Sequence, residues 1–266
     1  MPIKRIEVGG AALSVLDAGA GETLLFVHGF PLDHTMWQAQ IEAFAPRYRV
    51  LAPDLRGFGL SDARGETVTM EEFAGDLAEL LDALDERRPV VFCGLSMGGY
   101  IALRFVDQFA ARLRALVLCD TRAAADSAAA AAHRRKLGEQ VLAEGAEPVA
   151  DAMLPKLFAP RTAAEKPEVL AAARRVMAAT HPVAIAAAQR GMAERPDSTA
   201  LLPTISTPTL VVVGAEDAIS PLDEMRGMAA AIPGAEFVVI PNAGHMAPLE
   251  NPAAFNAALE KFLARS

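Results

Sequence analysis

One serine in this chain stands in a setting that could make it a nucleophile. Ser96 lies in Gly94-Leu95-Ser96-Met97-Gly98-Gly99, directly after the apolar run Val90-Val91-Phe92-Cys93 and before a helical stretch that reaches to about Phe109. This is G-x-S-x-G between a predicted strand and a predicted helix, a context that separates it from an ordinary glycine-rich turn. So sharp a turn holds the serine in strained backbone geometry, and glycine is needed two residues to either side for close approach. The hydroxyl then stands clear of the sheet at a helix N-terminus, where the dipole favours developing negative charge. It still needs a base to take its proton and an acid to orient that base.

Two later segments supply such groups. Val212-Val213-Gly214-Ala215-Glu216-Asp217 places an acid just beyond an apolar run, and Asn242-Ala243-Gly244-His245-Met246 places a histidine just beyond the next one. Both side chains would project at the same C-terminal strand edge as Ser96, where open α/β sheets bind ligands. In that arrangement neutral His245 removes the Ser96 proton and later donates it to the leaving group. Asp217 fixes the imidazole tautomer and stabilises the imidazolium. Asp120 competes for the acid's role, because it also follows a strand and could reach the same histidine. Glu216 is adjacent to Asp217 but would point to the opposite side in extended geometry. The segment His28-Gly29-Phe30-Pro31 offers the backbone N–H of Phe30, which with that of Met97 would form an oxyanion hole. His28 itself is expected to hold this loop by hydrogen bonds rather than to act as a second base.

Charge and residue usage exclude several other chemistries. The net charge is −8, and no basic cluster runs beyond Arg134-Arg135-Lys136, which argues against a nucleic-acid partner or an anionic membrane surface. No two histidines have a metal-ligand spacing such as HExxH, so neither a metal nor any other cofactor is expected. His34, His133 and His181 read as surface or capping residues. Cys93 and Cys119 each end an apolar run and read as small buried residues, which suits a reducing compartment. The start, Met1-Pro2-Ile3-Lys4-Arg5, lacks the apolar stretch of a secretory signal, and no run is long enough to span a membrane. A soluble, cytoplasmic protein is the expectation.

The elements that must position these residues follow from the apolar pattern. Residues 3–8 and 11–17 suggest a hairpin through Gly9-Gly10. Short, near-continuous apolar runs at 24–27, 49–52, 90–93 and 113–119 read as strands buried on both faces. Residues 69–85 carry Phe73, Leu77, Leu80, Leu81 and Leu84 on one helical face, and Thr69 with Glu72 makes a capping box at its start. Strand–helix alternation of this kind predicts a parallel sheet with helices on both faces. The rhythm stops over residues 121–200, which contain no convincing strand, and resumes with a strand at 209–213, a helix after Pro221, a strand at 236–240 and a helix from Pro252.

The interruption is alanine-rich, with 26 alanines in 80 residues, and is punctuated by Gly145, Pro148, Pro155, Pro160, Pro167, Pro182 and Pro196. Alanine forms helices well but buries little surface. A helix-rich, lightly packed lid, more mobile than the sheet, is therefore expected over Ser96. Its apolar residues Met153, Leu154, Leu157, Phe158, Met177 and Met192 could wall an acyl pocket. Trp37, together with Ile219 and Met246 beside Asp217 and His245, are nearer candidates to contact substrate.

Four motifs in order give the chain a family resemblance. His28-Gly29-Phe30-Pro31, Asp54-Leu55-Arg56-Gly57-Phe58-Gly59-Leu60-Ser61-Asp62, Gly94-Leu95-Ser96-Met97-Gly98-Gly99, and Asp217 with Asn242-Ala243-Gly244-His245 resemble an α/β-hydrolase. The resemblance implies an α/β fold with an eight-stranded, mostly parallel sheet flanked by helices and a helical cap inserted after strand six. Residues 1–120 and 201–266 would form the core domain and 121–200 the cap. A serine nucleophile sets the chain apart from the dehalogenases and epoxide hydrolases of that superfamily, which use aspartate. Within it the chain is similar to small serine carboxylesterases, cofactor-free perhydrolases of haloperoxidase type and 3-oxoadipate enol-lactonases. The function implied is cleavage of small-to-medium carboxylic esters through an acyl-enzyme. The alternatives are a lactonase, for which a lid cation such as Arg134, Arg135 or Arg161 would anchor a substrate carboxylate, or a perhydrolase, in which Pro31 orients the preceding carbonyl. A non-catalytic binding protein on the same scaffold is the reading from a different class.

Overall fold

The computed structural model describes residues 3–265. Eight strands form one sheet: β1 Ile3–Val8, β2 Ala11–Ala18, β3 Thr23–Val27, β4 Arg49–Pro53, β5 Val90–Leu95, β6 Leu113–Cys119, β7 Thr209–Gly214 and β8 Glu236–Ile240. Their order is β1-β2-β4-β3-β5-β6-β7-β8. β2 runs antiparallel to β1 and β4, and the remaining neighbours are parallel. The eight-stranded, mostly parallel architecture expected from the sequence is the one found.

Alternation along each strand sends side chains to two separate cores. Leu25, Val27, Leu51, Phe92, Leu116, Leu118, Val211 and Val213 join one buried cluster with Phe73, Leu77, Ile101 and Phe105 of the helices Met70–Ala83 and Met97–Phe109. Leu24, Phe26, Val50, Val91, Cys93, Val117, Cys119, Leu210 and Val212 join the other, against helices Gln38–Phe44 and Pro252–Leu263. Burial on both faces explains why these strands read as continuous apolar runs. The capping box is present: Glu72 N–H donates to Thr69 Oγ1 at 3.1 Å, and Thr69 N–H donates to Glu72 Oε2 at 2.7 Å.

Between β6 and β7 lie five α-helices, Ala128–Glu144, Glu147–Leu157, Pro160–Glu165, Pro167–Ala179 and Pro182–Glu194, and the short 3-10 helix Thr199–Thr204. Pro148, Pro160, Pro167 and Pro182 each fall in the first two positions of a helix, where a missing N–H costs nothing. Light packing holds for several of these α-helices but not for the last. Helix Ala128–Glu144 buries only Ala131, Gly138 and Val141, but helix Pro182–Glu194 buries eight of its residues, Ala184 to Gln189, Gly191 and Met192. Small side chains let that helix approach its neighbours closely: a Cβ on Gly191 would lie 1.8 Å from the Val68 carbonyl oxygen. Val68 N–H donates to Ala187 O at 3.2 Å, so the helix is also tied to the sheet-side loop. Leu154, Phe158 and Met177 are buried in the second core cluster rather than turned to a pocket. Among the described residues no helix is long and apolar enough to cross a membrane.

Candidate active site

Every parallel strand ends at the same edge, and the chemistry-bearing residues collect there. The turn after β5 places Ser96 at φ 55°, ψ −112°, a left-handed conformation unusual for a residue with a Cβ. Neighbouring backbone leaves no room for side chains around it: a Cβ on Gly94 would meet the Gly98 carbonyl at 2.2 Å, and one on Gly98 would meet the Val27 carbonyl at 2.4 Å. Both glycines of the motif are therefore required by close approach. Ser96 N–H donates to Cys119 O at 2.9 Å, and Thr121 Oγ1 donates to Ser96 O at 2.8 Å, so the residues after β6 grip the turn from both sides.

Ser96 Oγ lies 2.8 Å from His245 Nε2, and His245 Nδ1 lies 2.9 Å from Asp217 Oδ2. Asp217 Oδ1 accepts the backbone N–H groups of Ile219 at 2.7 Å and Ser220 at 2.9 Å. Burial alone would raise the Asp217 pKa, but the His245 hydrogen bond and charge and these two N–H donors hold it below the ordinary carboxylate value. With Asp217 ionised, Nδ1 of His245 carries the proton and Nε2 is left to accept the serine hydroxyl. Asp120 does not contact the histidine: its Oδ1 accepts Gly214 N–H at 2.7 Å. Glu216 is exposed.

The histidine's own turn is held by a residue the sequence reading passed over. Glu250 is buried, and its Oε1 accepts Gly244 N–H at 2.8 Å and Met246 N–H at 3.2 Å, on either side of His245. Its Oε2 accepts Ala159 N–H at 2.8 Å and the Thr162 hydroxyl at 2.6 Å, both from the inserted helices. Only its position five residues after His245, ahead of Asn251-Pro252, was visible in the sequence, and that spacing carries no distinctive signal.

Phe30 follows β3, and Met97 is the first residue of its helix, one of the positions whose N–H lacks an intrahelical acceptor. The Phe30–Pro31 peptide is cis. His28 is wholly buried, with Leu55 N–H donating to its Nε2 at 3.0 Å and its Nδ1 2.9 Å from Gly29 O. Burial pushes its pKa down, so it is a neutral ring with both nitrogens occupied. His34 is not a surface residue. It is buried with Nδ1 2.6 Å from Asp54 Oδ1; burial opposes its protonation, but Asp54 and Asp33 raise its pKa, and His34 in turn holds Asp54 low against the effect of burial. Asp33, His34 and Asp54 bring three potential ligand atoms within 4.8 Å, although His34 Nδ1 is already engaged with Asp54. His181 caps the helix Pro182–Glu194.

A cavity of about 270 Å³ opens above Ser96 and His245. Phe30, Leu157, Met192 and Ile219 line it, as does Met153. Trp37 and Met246 do not. Trp37 turns inward to stack on Phe26 and Phe255 at 5.0 and 6.0 Å between ring centroids, and Met246 is buried in the same core cluster. Closeness in sequence to the turn or to His245 did not determine which side of the backbone each side chain takes. The far wall is polar and was largely missed: Arg122, Asp126, His133, Arg134 and Gln189 line it, with Tyr100 and Leu137. His133, expected at the surface, is exposed at this wall. Asp126 pairs with Arg134 and with Arg195, which hold its pKa low although burial would raise it. Arg134 Nη1 also donates to Gln189 Oε1 at 3.2 Å, and Arg122 donates to Ile219 O. His133, Arg134 and Leu137 sit on the helix Ala128–Glu144, which has no clear amphipathic stripe, so no periodicity marked the face they present.

The family model described as "Alpha/beta hydrolase family" matches residues 24–258. Among curated relatives, 3-oxoadipate enol-lactonase 1 of Acinetobacter baylyi is 30% identical over 251 residues, spanning 92% of this chain and 91% of that protein. Among solved structures, a thermophilic esterase from Thermogutta terrifontis is 46% identical with a TM-score of 0.97, covering 100% of this chain and 99% of its own. The enol-lactonase from Burkholderia xenovorans LB400 is 30% identical with a TM-score of 0.91, covering 99% of this chain and 100% of its own.

Proposed function

The chain belongs to the alpha/beta hydrolase family, and from that premise we propose that it is a serine hydrolase cleaving small-to-medium carboxylic esters through an acyl-enzyme. The observation that carries this reading is the continuous relay Asp217–His245–Ser96, with links of 2.9 and 2.8 Å, at the floor of the cavity. Ser96 Oγ attacks the ester carbonyl carbon as its proton passes to His245 Nε2. The oxygen that gains charge is met by the N–H groups of Phe30 and Met97. The tetrahedral intermediate collapses, His245 gives its proton to the leaving alcohol, and the acyl group stays on Ser96. Water then attacks the acyl-enzyme as its proton passes to His245, which returns that proton to Ser96 Oγ as the Oγ–acyl bond breaks and the acid leaves. Asp217 remains ionised throughout, steadying the imidazolium. Residues 121–200 serve as a cap that closes the acyl pocket with Leu157 and Met192, over a core of residues 1–120 and 201–266.

Ser96→Ala is expected to abolish hydrolysis of p-nitrophenyl butyrate, with a loss of at least about 10,000-fold in kcat, while the melting temperature holds. Activity surviving the replacement overturns the mechanism. A second reading, hydrolysis of lactones or esters that carry a separate carboxylate, is favoured by Arg122, Arg134 and His133 in the cavity wall. The similarity to enol-lactonases supports the same reading. Assaying the same preparation against neutral esters and carboxylate-bearing lactones ranks the two by kcat/KM.

A further inference from the structure

One buried acid at the site has no part in the relay. Asp120 follows β6 at φ 43°, and its side chain is fully buried. Its backbone N–H donates to Val212 O at 2.9 Å, and its Oδ1 accepts Gly214 N–H at 2.7 Å. Gly214 begins the turn that carries the acid of the relay, since Asp217 N–H donates back to Gly214 O at 3.2 Å. The flanking residues Cys119 and Thr121 are the two that grip Ser96. A single tripeptide thus holds the nucleophile's turn and the root of the acid's turn.

The two acids differ sharply in their donors. Asp217 receives three, from Ile219, Ser220 and His245. Asp120 receives one, on Oδ1, while its Oδ2 is buried without a partner, and Gly214, which donates to Asp120 and accepts from Asp217 N–H, holds the two acids at one turn. Two neighbouring carboxyls in a buried site cannot both be ionised, and the charge settles on the one with more donors. An oxygen with no donor beside a carboxylate is satisfied when it carries the proton itself. We propose that Asp120 is a positioning residue for the Ser96–His245–Asp217 relay, a neutral carboxylic acid that accepts Gly214 N–H through Oδ1 and donates its own O–H to Asp217. The direction of its titration agrees, because burial and then the Asp217 charge push its pKa well up. Other groups facing this cluster are the Cys119 thiol, His245 and Arg122, whose guanidinium lies on Ile219 O.

Such a proton places Asp217 between two side-chain donors, His245 on one side and Asp120 on the other. The arrangement fixes the carboxylate's orientation and tempers its pull on the imidazole. This inference rests on the serine-hydrolase reading above, and its test separates the two. Asp120→Asn keeps a carbonyl for Gly214 and an N–H for Asp217 without charge. It is expected to retain kcat/KM within about threefold, and the acid side of its pH–rate profile is expected to stay within about 0.3 pH units of the parent. If Asp120 were ionised, removing its charge would make the histidine easier to deprotonate, and the acid limb would fall by about one unit or more. That fall overturns the proposal. Asp120→Leu, which can neither accept nor donate, is expected to lower kcat at least about tenfold with KM within about twofold. Undiminished kcat in a folded Leu variant removes the positioning role, and if the Leu variant does not fold, the Asn profile decides alone. A parent protein with no ester or lactone hydrolysis would count against the functional reading, not against this one.

Discussion

At the scale of single residues, the site depends on acceptors that serve several donors at once. Glu250 is the clearest case. Four donors converge on its two oxygens, two from the turn that carries His245 and two from the inserted helices. Glu250→Gln keeps the size but turns one oxygen into an NH2 group, so either the Gly244 and Met246 N–H groups or the Ala159 and Thr162 donors face another donor. A buried donor left without an acceptor costs about 1–3 kcal/mol. The variant is expected to unfold at lower urea concentration by an amount of that size and to lose about tenfold in kcat, since a small misplacement of the proposed base His245 is costly. Unchanged kcat would mean that the His245 turn holds its geometry without Glu250. A carboxylate at this position looks unremarkable in sequence. Its importance comes from which backbone groups the fold brings to it, and those lie up to 91 residues away in the chain.

At the scale of elements, glycine and alanine set how closely helices can dock. Helix Pro182–Glu194 crosses against the loop before helix Met70–Ala83, and Gly191 is the point of nearest approach. Two effects oppose each other in Gly191→Ala. The helix gains about 1 kcal/mol in propensity. The new methyl would sit 1.8 Å from the Val68 carbonyl oxygen, and that oxygen belongs to backbone whose neighbouring N–H is already bonded to Ala187. Overpacking a tight contact costs about 1–3 kcal/mol, and here the clash is with backbone that cannot swing aside, so the clash wins. A net loss of stability is expected by urea titration, and a gain would show that the loop yields freely. The strands, the serine turn and the helix starts were readable because each has a local cause: two-face burial, glycine at a close approach, proline in a first turn. The cavity wall was not. Which face of an inserted helix meets substrate depends on how helices dock, and Arg122, His133 and Gln189 belong to segments whose pattern alone does not distinguish cavity from solvent. Trp37 and Met246 illustrate the converse, since both lie near the site in sequence and point into the core.

At the scale of the whole molecule, the parallel sheet divides labour between its two edges. The C-terminal ends of β5 and β7 and the turn after β8 carry the proposed relay of Ser96, Asp217 and His245, with its strained serine and buried acid. The N-terminal ends are tied by a polar cluster that serves stability. Glu86 is buried there, accepting the Thr23 hydroxyl at 2.5 Å, Arg88 Nε at 3.1 Å and Arg49 Nη1 at 3.4 Å, so that it joins the starts of β3, β4 and β5. Burial would raise its pKa, but the Arg88 and Thr23 hydrogen bonds outweigh it and bring the value down to about 2 from 4.5. A carboxyl lowered on folding stabilises the native state fully above its unfolded value and loses that contribution as pH falls through the folded value. The relevant window here is from about 4.5 down to about 2. Glu86→Gln should therefore be less stable than the parent by about 1–3 kcal/mol at neutral pH, the size of a lost charge-assisted hydrogen bond in a buried site. The gap should narrow as urea titrations are repeated at progressively lower pH across that window. Ser96-dependent activity of the variant at neutral pH should match the parent, because Glu86 stands at the opposite edge of the sheet. A stability gap that stays constant down to pH about 2 would place the ion-pair contribution elsewhere.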